Sequence, residues 1–158
     1  MFLRLTAILL TSLLLVQLGC NQGSQDSHRV IGVDENDAAM NTAIETAKKT
    51  FSQFEQNWQN PNVETTSVKV GMDTSSGGKE HVWFTPISME GTKITASCSN
   101  EPVEIPDLNF GDVRTFEKSQ VSDWLIMQDG KCYGGYTVRV LMEQQPGGAP
   151  DMEFADYP

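Results

Sequence analysis

The sequence predicts an α+β domain, in which one N-terminal amphipathic helix packs on a curved antiparallel sheet of five or six strands, with a half-open barrel as the more closed variant. Three observations carry this. Between residues 40 and 58 the apolar side chains recur at steps of three and four, the spacing that lines one face of a helix. From Val63 the period changes to two, which sends alternate side chains to opposite faces of a strand. Turn residues then break the chain at short intervals, and short strands joined by turns build antiparallel sheets.

The helix comes first. Asp34-Glu35-Asn36-Asp37 places capping side chains and negative charge where a helix starts. Met40, Ala43, Ile44, Ala47, Phe51, Phe54 and Trp58 form the stripe, and Asn60-Pro61 stops it. Glu45, Lys48, Lys49 and Glu55 are mixed in sign, which gives no basic face for lipid and turns the stripe toward the sheet. Asp34, Asn36 and Glu45 also fall at the first, third and twelfth places of a calcium-binding EF-hand loop. Ala38 stands where an oxygen ligand is needed and Ala39 where glycine makes the turn, so the motif is excluded.

The strands follow in order. Val68, Val70 and Met72 alternate with polar neighbours, and Ser75-Ser76-Gly77-Gly78 makes a hairpin turn. Val82 and Phe84 alternate with His81, Trp83 and Thr85; Glu90-Gly91 turns the chain again, and Ile94, Ala96 and Cys98 share one face. Residues 100–110, with two prolines, read as an ordered loop, followed by a strand over Val113 to Phe116. Val121 to Met127 is apolar, and Asp129-Gly130 suits a type I′ hairpin into Lys131 to Tyr133. Thr137 to Met142 has β-branched residues that favour a strand, but Gly134-Gly135 breaks the strand before it and opens the way to a short helix, the reading preferred here. Residues 146–158 read as an acidic disordered tail.

Residues 1–19 have the form of a secretory leader: Arg4 gives a positive start, and Leu5 to Val16 is an apolar run too short to span a bilayer as a mature helix. The run ends in Gly19-Cys20, which resembles a bacterial lipobox, although Gln17 replaces the usual leucine. The expected product is a lipoprotein acylated on Cys20, with residues 20–36 as a flexible tether before a folded domain over 37–145. An ordinary leader cut elsewhere is the alternative. Asn21 lacks the aspartate that resembles an inner-membrane retention signal, which directs the expected product to the outer membrane, facing the periplasm.

The chain holds 21 acidic against 11 basic residues, for a formal net charge of −10. Nucleic-acid binding needs a basic face, so that class is excluded. An acidic surface suits solubility or a basic protein partner in the envelope. With Cys20 lipidated, Cys98 and Cys132 remain. In an oxidising compartment they either pair, for about 4 kcal/mol in the chain-entropy model, or stay as thiols. No Cys-x-x-Cys pair exists and His28 and His81 are the only histidines, so no metal site is expected, and no cofactor motif appears.

The blocks Glu80-His81-Val82-Trp83, Asn100-Glu101-Pro102, Gly111-Asp112-Val113, Val121-Ser122-Asp123-Trp124, Asp129-Gly130-Lys131 and Gly134-Gly135-Tyr136-Thr137 with Arg139 occur in this order. In that order and spacing they resemble the YegJ-like bacterial family, domain of unknown function 2314, over roughly Ala38 to Glu143. The resemblance implies a fold and brings no activity. From the residues themselves, Trp83 and Trp124 read as core fillers whose indole N–H needs a partner. Gly134 and Gly135 read as positions of positive φ, and Asn100 and Asp123 as caps of turns.

His81, Glu101, Asp123, Tyr136 and Arg139 are the candidate binding residues, converging on one rim of the sheet. An acid–base enzyme drawn from them would use His81 as base, Glu101 as orienter and Arg139 as anion clamp. No nucleophile motif accompanies them. The preferred reading is a non-catalytic domain that binds a protein or envelope component, with Arg139 bridged to Glu101 or Asp123. A small-ligand or hydrolase-like site is the alternative.

Overall fold

The computed structural model describes residues 37–144 and 152–157. The leader, Cys20 and the tether lie outside these. Helix α1 spans Ala38–Asn57; the Asp37 carboxylate caps it, accepting from the amides of Ala39 at 2.9 Å and Met40 at 3.1 Å. Met40, Ala43, Ala47, Phe51 and Phe54 are buried on its inner face. The apolar stripe and the acidic cap are thus where the sequence placed them.

Strands β1 (Thr65–Asp73), β2 (Lys79–Glu90), β3 (Lys93–Cys98), β4 (Val113–Glu117), β5 (Val121–Gln128) and β6 (Lys131–Gly134) follow, then helix α2 (Tyr136–Gln144) and strand β7 (Glu153–Ala155). They form one seven-stranded sheet in the order β4-β3-β2-β1-β5-β6-β7. Every pairing is antiparallel except β6 with β7. The first four strands meander outward from β1. The chain then returns and lays β5 on the other side of β1, which becomes the central strand.

One face carries the core. Val68, Val70, Val82, Phe84, Ile94, Ala96, Trp124 and Ile126 are almost fully buried there with Ala47 and Phe54 of α1. The Trp124 ring lies 5.8 Å from that of Phe54. Its indole N–H donates to the Ala47 carbonyl at 3.0 Å and to Thr50 Oγ1 at 3.2 Å, so the polar edge of the largest core side chain is satisfied by the helix it packs against. At the β5–β6 turn Asp129 has φ 53° and Gly130 φ 71°, the two left-handed residues that a type I′ turn requires.

Three expectations are corrected, and two alternatives that the sequence left open are decided. The sheet has seven strands and is open, with β4 and β7 at its edges, not a half-open barrel. Part of the expected disordered tail is β7, paired with β6; three residues are too few for a visible alternation. Trp83 is half-buried on the face opposite the core, because it alternates with the buried Val82 and Phe84. Cys98 and Cys132 are both buried and free. Three strands separate theirs, roughly 19 Å at sheet spacing, against the ~5.5–6 Å Cα separation of a disulfide. Thr137 to Met142 is helical, in line with the break at Gly134-Gly135.

Candidate polar site on the open face of the sheet

Strand alternation puts Lys69, between Val68 and Val70, on the face away from α1. In register with it stand Trp83 on β2 and Asp123 on β5. A lysine and an aspartate are thereby placed side by side and both are buried. Thr137, near the start of α2, joins them: its hydroxyl accepts from Lys69 Nζ at 2.8 Å and donates to Asp123 Oδ2 at 2.5 Å. The ammonium also lies 4.8 Å from the centre of the Trp83 ring, a favourable cation–π distance.

Asp123 is heavily occupied. Besides the hydroxyl, its oxygens accept from the amides of Trp124 at 2.8 Å, Tyr136 at 3.2 Å and Thr137 at 2.8 Å. The last two belong to the first turn of α2, whose free N–H groups need an acceptor and whose dipole favours an anion. Helix α2 starts beside β5 because Gly134 and Gly135 turn the chain at φ 75° and 61°. A Cβ at Gly134 would lie 2.3 Å from the Trp124 carbonyl oxygen, so only glycine fits. Burial pushes the Asp123 carboxyl up, opposed by its bonds to Thr137 and by Lys69. Burial likewise pushes Lys69 down, opposed by Asp123.

His81 belongs to the same face. It pairs with Gly71 across β1–β2, and a Cβ on Gly71 would come within 3.2 Å of the imidazole Cε1. With that space open, the ring crosses β1 and its Nδ1 reaches Ser122 Oγ on β5 at 2.8 Å. The Ser122 hydroxyl is also 3.2 Å from the Lys69 carbonyl oxygen. His81 stays exposed. Partial burial, then the charges of Lys69 and Lys79, hold it below the usual imidazole range.

The expected five-residue rim is only partly assembled. Asp123 and the Tyr136 amide meet directly, and His81 joins them through Ser122, the residue before Asp123. Arg139 is turned the other way. Its Nε donates to the Gly134 carbonyl at 3.1 Å and its terminal nitrogens reach the Ala155 carbonyl at 2.9 Å and Asp156 Oδ1 at 3.4 Å. Its bridge is therefore to the C-terminal segment, not to Glu101 or Asp123. Glu101 is exposed on the loop after β3 and forms no ion pair among the described residues. Asn100, its neighbour, accepts from the Trp83 amide at 2.7 Å, a bond across to β2 where a local turn cap was expected.

Lys69, Ser122 and Thr137 were not singled out by sequence. Lys69 carried a faint signal, as a charge between two core valines in a strand that proves central. Ser122 carried none, since a bulge where β5 meets Lys69 and Val70 sets its direction.

Comparison with known proteins agrees with the fold-level reading. A family described as "Uncharacterized protein conserved in bacteria (DUF2314)" matches residues 37–150. The uncharacterized protein YegJ of Escherichia coli is 30% identical over 108 residues, 68% of this chain and 70% of that protein. A putative ankyrin repeat protein of Neisseria meningitidis serogroup B is 31% identical over 121 residues, 71% of this chain but 48% of that protein. This chain thus matches about half the length of the second relative. No solved structure matches.

Proposed function

Since the chain belongs to the DUF2314 family of uncharacterized bacterial proteins, we propose that it is a non-catalytic binding domain, held on the bacterial envelope by a lipid on Cys20. The carrying observation is that the charges best suited to chemistry are already committed to the fold. Asp123 accepts four hydrogen bonds, close to the full acceptor capacity of a carboxylate, and so has little left for a substrate or a proton in flight. Lys69 is buried against its threonine and Arg139 is bonded to backbone carbonyls. Gly19-Cys20 after an apolar run, and the polar stretch that follows, support the anchor. No helix among the described residues is long and apolar enough to cross a membrane, so the lipid would be the attachment. Retention on the outer membrane, facing the periplasm, is the placement favoured by Asn21.

Metabolic labelling with a clickable palmitate analogue tests this. The full-length protein should carry label and sediment with membrane, and Cys20→Ser should lose both. Label that persists on Cys20→Ser, or an unlabelled parent in the soluble fraction, sinks the anchor.

One contact favours a hydrolase-like alternative: the 2.8 Å approach of His81 Nδ1 to Ser122 Oγ, the spacing of a base and the hydroxyl it activates. A fluorophosphonate probe separates the readings. Binding function predicts no adduct, whereas an adduct on Ser122 that His81→Ala removes would make the protein an enzyme.

A further inference from the structure

Strand β7 is three residues long, and its ladder with β6 is the one parallel pairing among the described residues. Its side chains are read one after another by the main domain. Glu153 pairs with Lys131 at 3.1 Å. The Phe154 ring lies 5.1 Å below the Arg139 guanidinium, in space left open by Gly135, where a Cβ would approach the ring to 3.2 Å. The Ala155 carbonyl and Asp156 carboxylate take the terminal nitrogens of Arg139. The Tyr157 ring lies 4.8 Å from that of Tyr133, tilted by 55°, and its hydroxyl lies 3.4 Å from Gln128 Oε1.

Part of the receptor side is held by contacts that do not involve β7: the Gly134 carbonyl accepts from Arg139 Nε at 3.1 Å, and the Tyr136 ring lies 5.0 Å from its guanidinium. Two cations thus flank one sheet edge on a strongly acidic chain. A parallel ladder is weaker per residue than an antiparallel one, and a three-residue edge strand opens more easily than the core. Edge addition of an extended peptide, with main-chain pairing for affinity and side-chain contacts for choice, is an established recognition mode.

We infer that the β6–α2 edge is a peptide-binding groove for an extended acidic–aromatic segment of a partner protein, and that residues 153–157 occupy it as an intramolecular stand-in. The pattern it takes is acid, aromatic, small, acid, aromatic, as in Glu153 to Tyr157. The tethered stand-in competes at an effective concentration of the order of millimolar, so a second copy offering the same segment gains nothing at lower concentration. A partner segment succeeds by fitting better. The inference rests on the binding reading above and names the surface that would serve it.

The test uses the purified full chain and a labelled synthetic peptide with the sequence of residues 151–158, followed by fluorescence anisotropy. Glu153→Lys with Phe154→Ala should loosen the stand-in and raise peptide affinity about ten-fold or more over the parent. Adding Arg139→Gln should cancel that gain, and a peptide with serine at the positions of Glu153, Phe154 and Asp156 should not bind. Circular dichroism checks folding; if the double variant unfolds, Glu153→Lys alone serves the same comparison. Equal peptide affinity in parent and loosened chain, or a gain that survives Arg139→Gln, overturns the inference. Light scattering that shows a strand-exchanged dimer instead of a peptide complex overturns the choice of partner. Failure here would remove this groove while leaving acylation of Cys20, the test of the envelope reading, untouched.

Discussion

Asp123 ties β5 to two other parts of the molecule: the start of α2, through two amides and the Thr137 hydroxyl, and the central strand, since that same hydroxyl accepts from Lys69. Asp123→Ala would leave a buried ammonium without its counter-charge and a helix start without its acceptor. The expected cost is about 3–5 kcal/mol, read from urea unfolding; a loss under about 1 kcal/mol would show that the pair adds nothing net. Arg139 was the cation the sequence offered Asp123, because Lys69 is 54 positions away in sequence and only the β1–β5 register brings the two together. His81 supplies the pH dependence. Its folded-state value lies below the ordinary imidazole value of 6.5, so between the two values the unfolded chain binds the proton and the folded one does not. Stability should therefore fall as pH drops from about 6.5 through the depressed value. In His81→Asn that slope should be shallower. Urea midpoints at a series of pH values that run parallel in parent and variant would show that His81 contributes nothing to it.

Helix α1 and strand β5 make the main contact between layers, and their aromatic residues carry it. Phe54 is fully buried against Trp124 while Trp58, one turn on, is half-buried. Phe54→Ala should cost about 3–5 kcal/mol, and Trp58→Ala clearly less in the same denaturation series; equal losses would mean that the helix end packs more tightly than its exposure indicates. Elements of this kind were legible because one period governs them. The stripe of α1 and the alternation of β2 each follow from local sequence. Trp83 shows how the rule is misapplied: its size suggested the core, yet the alternation with Val82 and Phe84 already sent it to the other face. Strand β7 was hidden for a different reason, since Glu-Phe-Ala has no period and is ordered by its ladder with β6 and by Lys131 and Arg139 at that edge.

At the scale of the whole molecule, the two buried cysteines lie too far apart to pair with each other, so no disulfide joins the described residues. Burial raises both thiols, Cys132 to about 11, so at pH 8 both are held mainly as the less reactive protonated form. Iodoacetamide should spare both in the folded protein and modify both in urea, and dithiothreitol should leave the melting temperature unchanged. A melting temperature that drops on reduction would show a disulfide after all. The candidate site escaped full prediction on this same scale, for its members come from β1, β2, β5 and α2 and meet only once the sheet is ordered. That sheet order carries a kinetic consequence. Hairpins β1–β2 and β2–β3 join neighbours in sequence, whereas β5 must return past three strands to reach β1. Closing so long a loop costs entropy before any contact rewards it. The meander should therefore gain amide protection first in pulsed hydrogen exchange, with β5 and β6 later, and the Lys69–Asp123 contact would mark the moment at which the two halves of the chain commit to each other.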